Sequence, residues 1–189
     1  MKEAKLYNIL RPVVTSFYKM FFTPTIIGAE NIPNDGRIIL AGNHTSNFDA
    51  PLLMCSTKRN IHFLAKKELW KGPKKIIFAN MGLIPVDRKT KDGNALIRAE
   101  RVLKAEKVIG IFPEGTTEKT GEMLKFKKGT VKMAIDTNTL IVPFVITGKY
   151  KFLSKNLTIK FLKPIKCNGD IKEETERLMN IIKKEKEDA

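Results

Sequence analysis

The 189 residues carry 35 Lys and Arg against 20 Asp and Glu, a formal net charge of +15, and 42% of them are hydrophobic. That apolar share supports one sizeable core and excludes a disordered or fibrous chain, while no uncharged apolar run approaches the roughly 18 residues of a spanning helix. Cys55 and Cys167 stand in no metal-ligand or paired spacing, so neither a disulfide framework nor a zinc site is expected, which fits a reducing cytoplasm.

The positive charge is concentrated: residues 58–132 hold nineteen basic side chains against eight acidic ones. An anionic partner follows, whether a phosphate-bearing substrate, an anionic membrane, an acidic carrier or a nucleic acid. No recognised nucleic-acid module or base-stacking aromatic motif accompanies the charge, so nucleic acid is not expected.

Along the chain, Leu6, Leu10, Val13, Phe17, Met20 and Phe21 form a helical stripe with Lys2, Lys5, Asn8, Arg11 and Lys19 largely elsewhere. Pro12 predicts a kink, or two short helices, because its ring removes a backbone donor. Pro12, Arg11 and Lys19 also interrupt the apolar region that a signal peptide would need. Two uses of residues 1–22 stay open, docking on the protein's own core or lying on a membrane surface.

After the turn residues "NIPNDG", short runs rich in Ile, Val, Leu and Phe follow at "RIILAG", "IHFLA", "LIPV", "VIGIF", "LIVPFVI" and "LTIKFL". Helical patterns separate them at "NALIRAERVLKAE" and "GTVKMAID", and another runs from Asp170 to about Lys186. This alternation predicts a single α/β domain over 1–189, its sheet mostly parallel or mixed and covered by helices, with an N-terminal amphipathic helical segment.

One of the two histidines stands in "NHTSNFDAP", Asn43 to Pro51, directly after a strand-like run. On one helix, His44 and Asp49 would lie about 140° apart and could not meet. If the strand instead ends at His44 and Asn47 caps a helix starting at Phe48, Asp49 falls in the first turn, where Pro51 is tolerated. Its carboxylate then orients the imidazole as a base. The same residues also suit a turn in which both side chains merely cap or meet solvent. His62 in "IHFLA" reads as a satisfied strand histidine and Cys55 as a small buried residue.

"NHTSNFD", "GLIPVDR", "FPEGT" followed by "FKKGT", and "IVPFVI" together resemble, in order and spacing, the glycerolipid acyltransferase family that includes bacterial 1-acylglycerol-3-phosphate acyltransferases. The resemblance covers roughly residues 26–165. It implies His44 as catalytic base and Asp49 as its orienting acid. It implies binding of an acceptor's glycerol phosphate by Arg88, by Glu114 with Gly115 and Thr116, and by Lys66, with Glu114 positioning a cation and backbone amides near Gly115 and Thr116 meeting the oxyanion. Acyl-coenzyme A or acyl carrier protein is the implied donor, with no metal or other cofactor.

Many relatives carry Arg where this chain has Thr117, and Lys119, Lys125, Lys127 and Lys128 are the nearby candidates to replace it. The expected reaction acylates 1-acylglycerol-3-phosphate, a lysophospholipid acceptor, at an anionic membrane on the cytoplasmic face. Alternatives are acylation of glycerol-3-phosphate or another lysophospholipid, or a non-catalytic basic protein that binds membrane or nucleic acid.

Overall fold

The computed structural model describes residues 5–70, 72, 74–87, 93–117 and 122–189. In chain order the elements are α1 (Lys5–Phe21), β1 (Thr25–Ile27), β2 (Ile38–Gly42), α2 (Asp49–Cys55), β3 (Ile61–Lys66), α3 (Lys74–Asn80), β4 (Ile84–Val86), α4 (Gly93–Lys104), β5 (Val108–Ile111), α5 (Gly129–Asp136), β6 (Leu140–Thr147), β7 (Thr158–Phe161) and α6 (Ile171–Glu187). The six apolar runs of the sequence each supply one of β2 to β7.

The strands form one mixed sheet in the order β1-β7-β6-β2-β5-β3-β4. β6, β2, β5, β3 and β4 run parallel to one another. β7 is antiparallel to β6, and β1 pairs parallel with β7. Strands without polar alternation are buried on both faces, and β2 is buried throughout. Its side chains alternate accordingly: Ile38 and Leu40 join the core under α1 and α2, whereas Ile39 and Ala41 join the core formed with α4, α5 and α6. The five parallel strands all end on one edge, where ligands collect in sheets of this type.

At Pro12 α1 continues as one helix, the unsplit outcome of the two expected, while two other local expectations are corrected. Pro12 and Asn8 both lie on the exposed side, so the carbonyl that loses its donor faces water rather than a dry core. The buried face of α1 differs from the predicted stripe: Tyr7, Tyr18 and, just past the helix, Phe22 enter the core, while Val13, Phe17 and Met20 stay exposed. The second correction concerns α2, which begins at Asp49, with Phe48 rather than Asn47 at the cap position and no side-chain cap bond.

Candidate active site

The site begins where β2 leaves the sheet. A Cβ on Gly42 would lie 2.3 Å from the Phe144 ring, so only glycine lets β2 end this close to β6. Asn43, buried, then continues the pairing with its side chain. Its Nδ2 donates to the Ile146 carbonyl and its Oδ1 accepts from the Ile146 amide, both at 2.8 Å. His44 is the first residue past this anchor.

Asp49 is fully buried and draws five donors. Its Oδ2 accepts from His44 Nδ1 at 2.8 Å, Thr45 N at 2.7 Å and Ser46 N at 2.8 Å. Its Oδ1 accepts from the Tyr150 hydroxyl at 2.6 Å and Thr45 Oγ1 at 3.2 Å. A carboxylate that receives donors on both oxygens acts as an acceptor only. The proton between it and the imidazole therefore sits on Nδ1, which leaves Nε2 as the basic nitrogen. The His44 side chain is 15% exposed, enough for a substrate atom to reach it.

The imidazole is fixed in plane as well as in tautomer. Phe112, at the end of β5, stacks beneath it with ring centroids 4.1 Å apart and 13° between planes. Two residues on, Glu114 is buried and holds the backbone: its Oε1 accepts from His44 N at 2.8 Å and its Oε2 from Leu124 N at 2.9 Å. Burial raises the Glu114 pKa and these two amides oppose the rise. Both oxygens are thus committed to amides, not to the cation expected from the resemblance. Tyr150 is pushed far above the ordinary phenol value by burial first and the Asp49 charge second, so it remains a donor.

Gly115 has φ +74 and its amide donates to the Phe112 carbonyl at 2.9 Å. That amide is occupied by the turn, contrary to the expectation of an oxyanion donor, and the Thr116 amide has no partner among the described residues. Over Gly115 lies Lys127, whose Nζ would be 2.5 Å from a Cβ there. Lys127 has no carboxylate partner among the described residues. Lys125 faces α6 beside Glu176, and Lys128 lies toward Asp170.

Lys66 ends β3 in register with Val86 of β4, exposed on the same sheet edge. Strand spacing puts β3 about 10 Å from β2 and β4 about 14 Å away. Arg88 and Lys119 lie outside the described residues. His62 is buried and its Nδ1 donates to the Gly82 carbonyl at 2.7 Å, away from the site. Burial raises both thiols, that of Cys167 to about 11, so neither is poised as a thiolate.

A family described as Acyltransferase matches residues 23–147, which spans β1 to β6 and every residue of the His44 loop. The chain belongs to the Acyltransferase family. It is 35% identical over 135 residues to the 1-acyl-sn-glycerol-3-phosphate acyltransferase of Borreliella burgdorferi, covering 70% of this chain and 54% of that one. It is 32% identical over 173 residues to the protein of the same name from Cocos nucifera, covering 84% and 54%. The chain spans about half the length of the curated relatives it matches. The crystal structure of the 1-acyl-sn-glycerophosphate (LPA) acyltransferase PlsC from Thermotoga maritima superposes with a TM-score of 0.80 at 26% identity, over 96% of this chain and 80% of that one.

Within this member of the Acyltransferase family, the residues that sequence reasoning passed over are Asn43, Thr45, Phe112 and Tyr150. Tyr150 stands just beyond the family match and 101 residues from Asp49, so no local spacing announces it.

Proposed function

We propose that the chain transfers a fatty acyl group from an acyl thioester to the free hydroxyl of 1-acylglycerol-3-phosphate, giving phosphatidic acid for phospholipid synthesis. The observation that carries this reading is the buried Asp49 carboxylate that holds His44 with Nε2 as base. Both residues lie within the stretch that matches the Acyltransferase family.

His44 Nε2 takes the proton from the acceptor hydroxyl as its oxygen attacks the thioester carbonyl carbon. The resulting tetrahedral oxyanion is met by the Thr116 amide. The C–S bond then breaks, and the proton on Nε2 passes to the departing thiolate. No acyl-enzyme or cofactor enters the scheme, and acyl-coenzyme A or acyl carrier protein serves as co-substrate.

The acceptor's phosphate lies only a few bonds from its reacting hydroxyl. With that hydroxyl at His44, the phosphate falls over the neighbouring β5 loop, where Lys127 crosses Gly115. Among the described residues Lys127 is therefore the first cation it meets, in place of the Arg that many relatives carry at position 117, with Lys66 farther along the edge. Lys acts there as a point charge without the bidentate fork of Arg.

Among the described residues no helix is long and apolar enough to cross a membrane. The exposed row Ile9, Val13, Phe17 and Met20 on α1 supports peripheral association with an anionic membrane, at the cytoplasmic face where the thioester donors are supplied.

The test is a matrix of both donor types against 1-acylglycerol-3-phosphate, glycerol-3-phosphate and phosphate-free monoacylglycerol, with lipid products separated by chromatography. The expected best acceptor is 1-acylglycerol-3-phosphate, and His44→Ala lowers turnover by about 10² to 10⁴-fold. Lys127→Ala raises the acceptor's KM but not the donor's, and Thr117→Arg in that background restores part of the loss. Equal use of monoacylglycerol by the unmodified protein, or unimpaired turnover by a folded His44→Ala variant, would falsify the reading.

A further inference from the structure

The loop between β6 and β7 exposes two large apolar side chains, Phe152 at 59% and Leu153 at 70%. Neither results from a slack segment. At the neck, Gly148 has φ +83 and a Cβ there would lie 1.6 Å from the Asn156 carbonyl oxygen, so the two ends of the loop close on each other. At the tip, Leu153 takes φ +54, a left-handed conformation that residues with a branched side chain seldom adopt. Its amide is held by the Phe21 carbonyl at 2.7 Å, and the Ser154 carbonyl accepts from Thr23 Oγ1 at 3.2 Å. The loop is thus tied to the end of α1 with its apolar tip turned out.

That tip continues the apolar row of α1. Phe152 stacks on Phe21 with ring centroids 4.8 Å apart, and Phe21 in turn contacts Phe17 at 4.8 Å. Val13, Phe17 and Met20 are spaced to share one helix face. Two segments more than 100 residues apart therefore present one exposed apolar surface. The two segments carry charge of a single sign: α1 contains no acidic residue, and residues 137–169 contain Lys149, Lys151, Lys155 and three further lysines with no Asp or Glu. Lys149, Lys151 and Lys155 are exposed and have no carboxylate partner among the described residues. An apolar surface rimmed by unpaired lysines complements a bilayer bearing anionic headgroups.

We propose that the loop 148–155 is a second membrane-contact element, which with α1 seats the protein on an anionic bilayer. The same loop carries Tyr150, whose hydroxyl reaches Asp49. The contact surface is therefore tied directly to the carboxylate that orients His44, and a hydroxyl presented at the bilayer surface approaches on the side where the base stands. The assignment deepens the lipid-acceptor reading above, but it concerns lipid binding and is tested without substrate.

Co-sedimentation with vesicles of mixed phosphatidylcholine and phosphatidylglycerol is the measurement. Phe152→Asp with Leu153→Asp is expected to reduce partitioning about tenfold or more. Ile97→Asp, at an exposed apolar position of α4 on the opposite cover of the sheet, leaves it unchanged. Because the double variant tests the loop only if it folds, Phe152→Trp in a Trp70→Phe background supplies an independent probe. Its single indole is expected to shift to the blue on vesicles and to be quenched by brominated lipid. Unchanged partitioning of the folded double variant, or an indole that brominated lipid leaves unquenched, overturns the proposal. So does a lipid-free dimer that the double variant dissolves, which would give the surface to a second copy of the chain. Vesicle binding by the loop together with no acylation of any acceptor would leave this inference standing and remove the proposed reaction instead.

Discussion

Asp49 shows how much of a site one residue can organise. Its carboxylate closes the turn through two backbone amides, fixes the imidazole tautomer and accepts from Tyr150 across 101 residues of sequence. Asp49→Asn is expected to lower kcat by about 10³ to 10⁴-fold, because an amide that donates to Nδ1 favours the wrong tautomer. Tyr150→Phe removes one donor of five and leaves the ring in place. Steady-state kinetics are expected to show kcat reduced by roughly tenfold with both KM values unchanged, the pattern of a positioning contact. A rise in KM alone would instead place Tyr150 in substrate binding. His44 and Asp49 were legible in the sequence because both partners and the turn that joins them lie within six residues. Tyr150 and Phe112 were not, since each reaches the site only after β5 and β6 have been placed beside β2, and the choice of Lys127 among the four lysines offered in place of an Arg at Thr117 waits on the same placement.

At the scale of elements, β2, β5 and β6 were readable because burial on both faces demands nearly uninterrupted apolar residues, and β7 because buried Ile159 and Phe161 alternate with Thr158 and Lys160. β1 was missed: three residues, Thr25–Ile27, become a strand only through pairing with β7. α1 was legible as a helix but its inward face was not, because apolar residues occupy both its core side and its open side. His62 illustrates an element tied down by a polar contact, β3 to the turn at Gly82. Burial lowers its pKa below the ordinary 6.5. The unfolded chain then binds a proton that the folded one refuses, so stability is full above about 6.5 and is lost as the pH falls toward the folded value, with a slope of at most about 1.4 kcal/mol per pH unit. Denaturant melts over this range are expected to show a shallower acid loss for His62→Gln than for the unmodified protein. Parallel curves would mean that other groups govern the acid limb.

For the molecule as a whole, the polarity of the sheet and the distribution of charge converge on one side. The parallel strands deliver His44, Glu114, Lys66 and Tyr150 to a single edge, and the unpaired lysines of the β6–β7 loop border the apolar surface that the same edge shares with α1. The net charge of +15 and that apolar surface act on a bilayer through different physics. Each basic residue near an anionic surface contributes about 1 kcal/mol, and screening shortens its reach from about 30 Å at 0.01 M salt to about 8 Å at 0.15 M. Apolar insertion is not screened. Partitioning onto phosphatidylglycerol-rich vesicles is therefore expected to fall steeply as salt rises and then level off at a residual set by insertion. Onto pure phosphatidylcholine it is expected to be weak and nearly independent of salt. A salt titration that carries binding on anionic vesicles to zero would assign the whole interaction to the lysines and leave the exposed aromatic residues without a part in it.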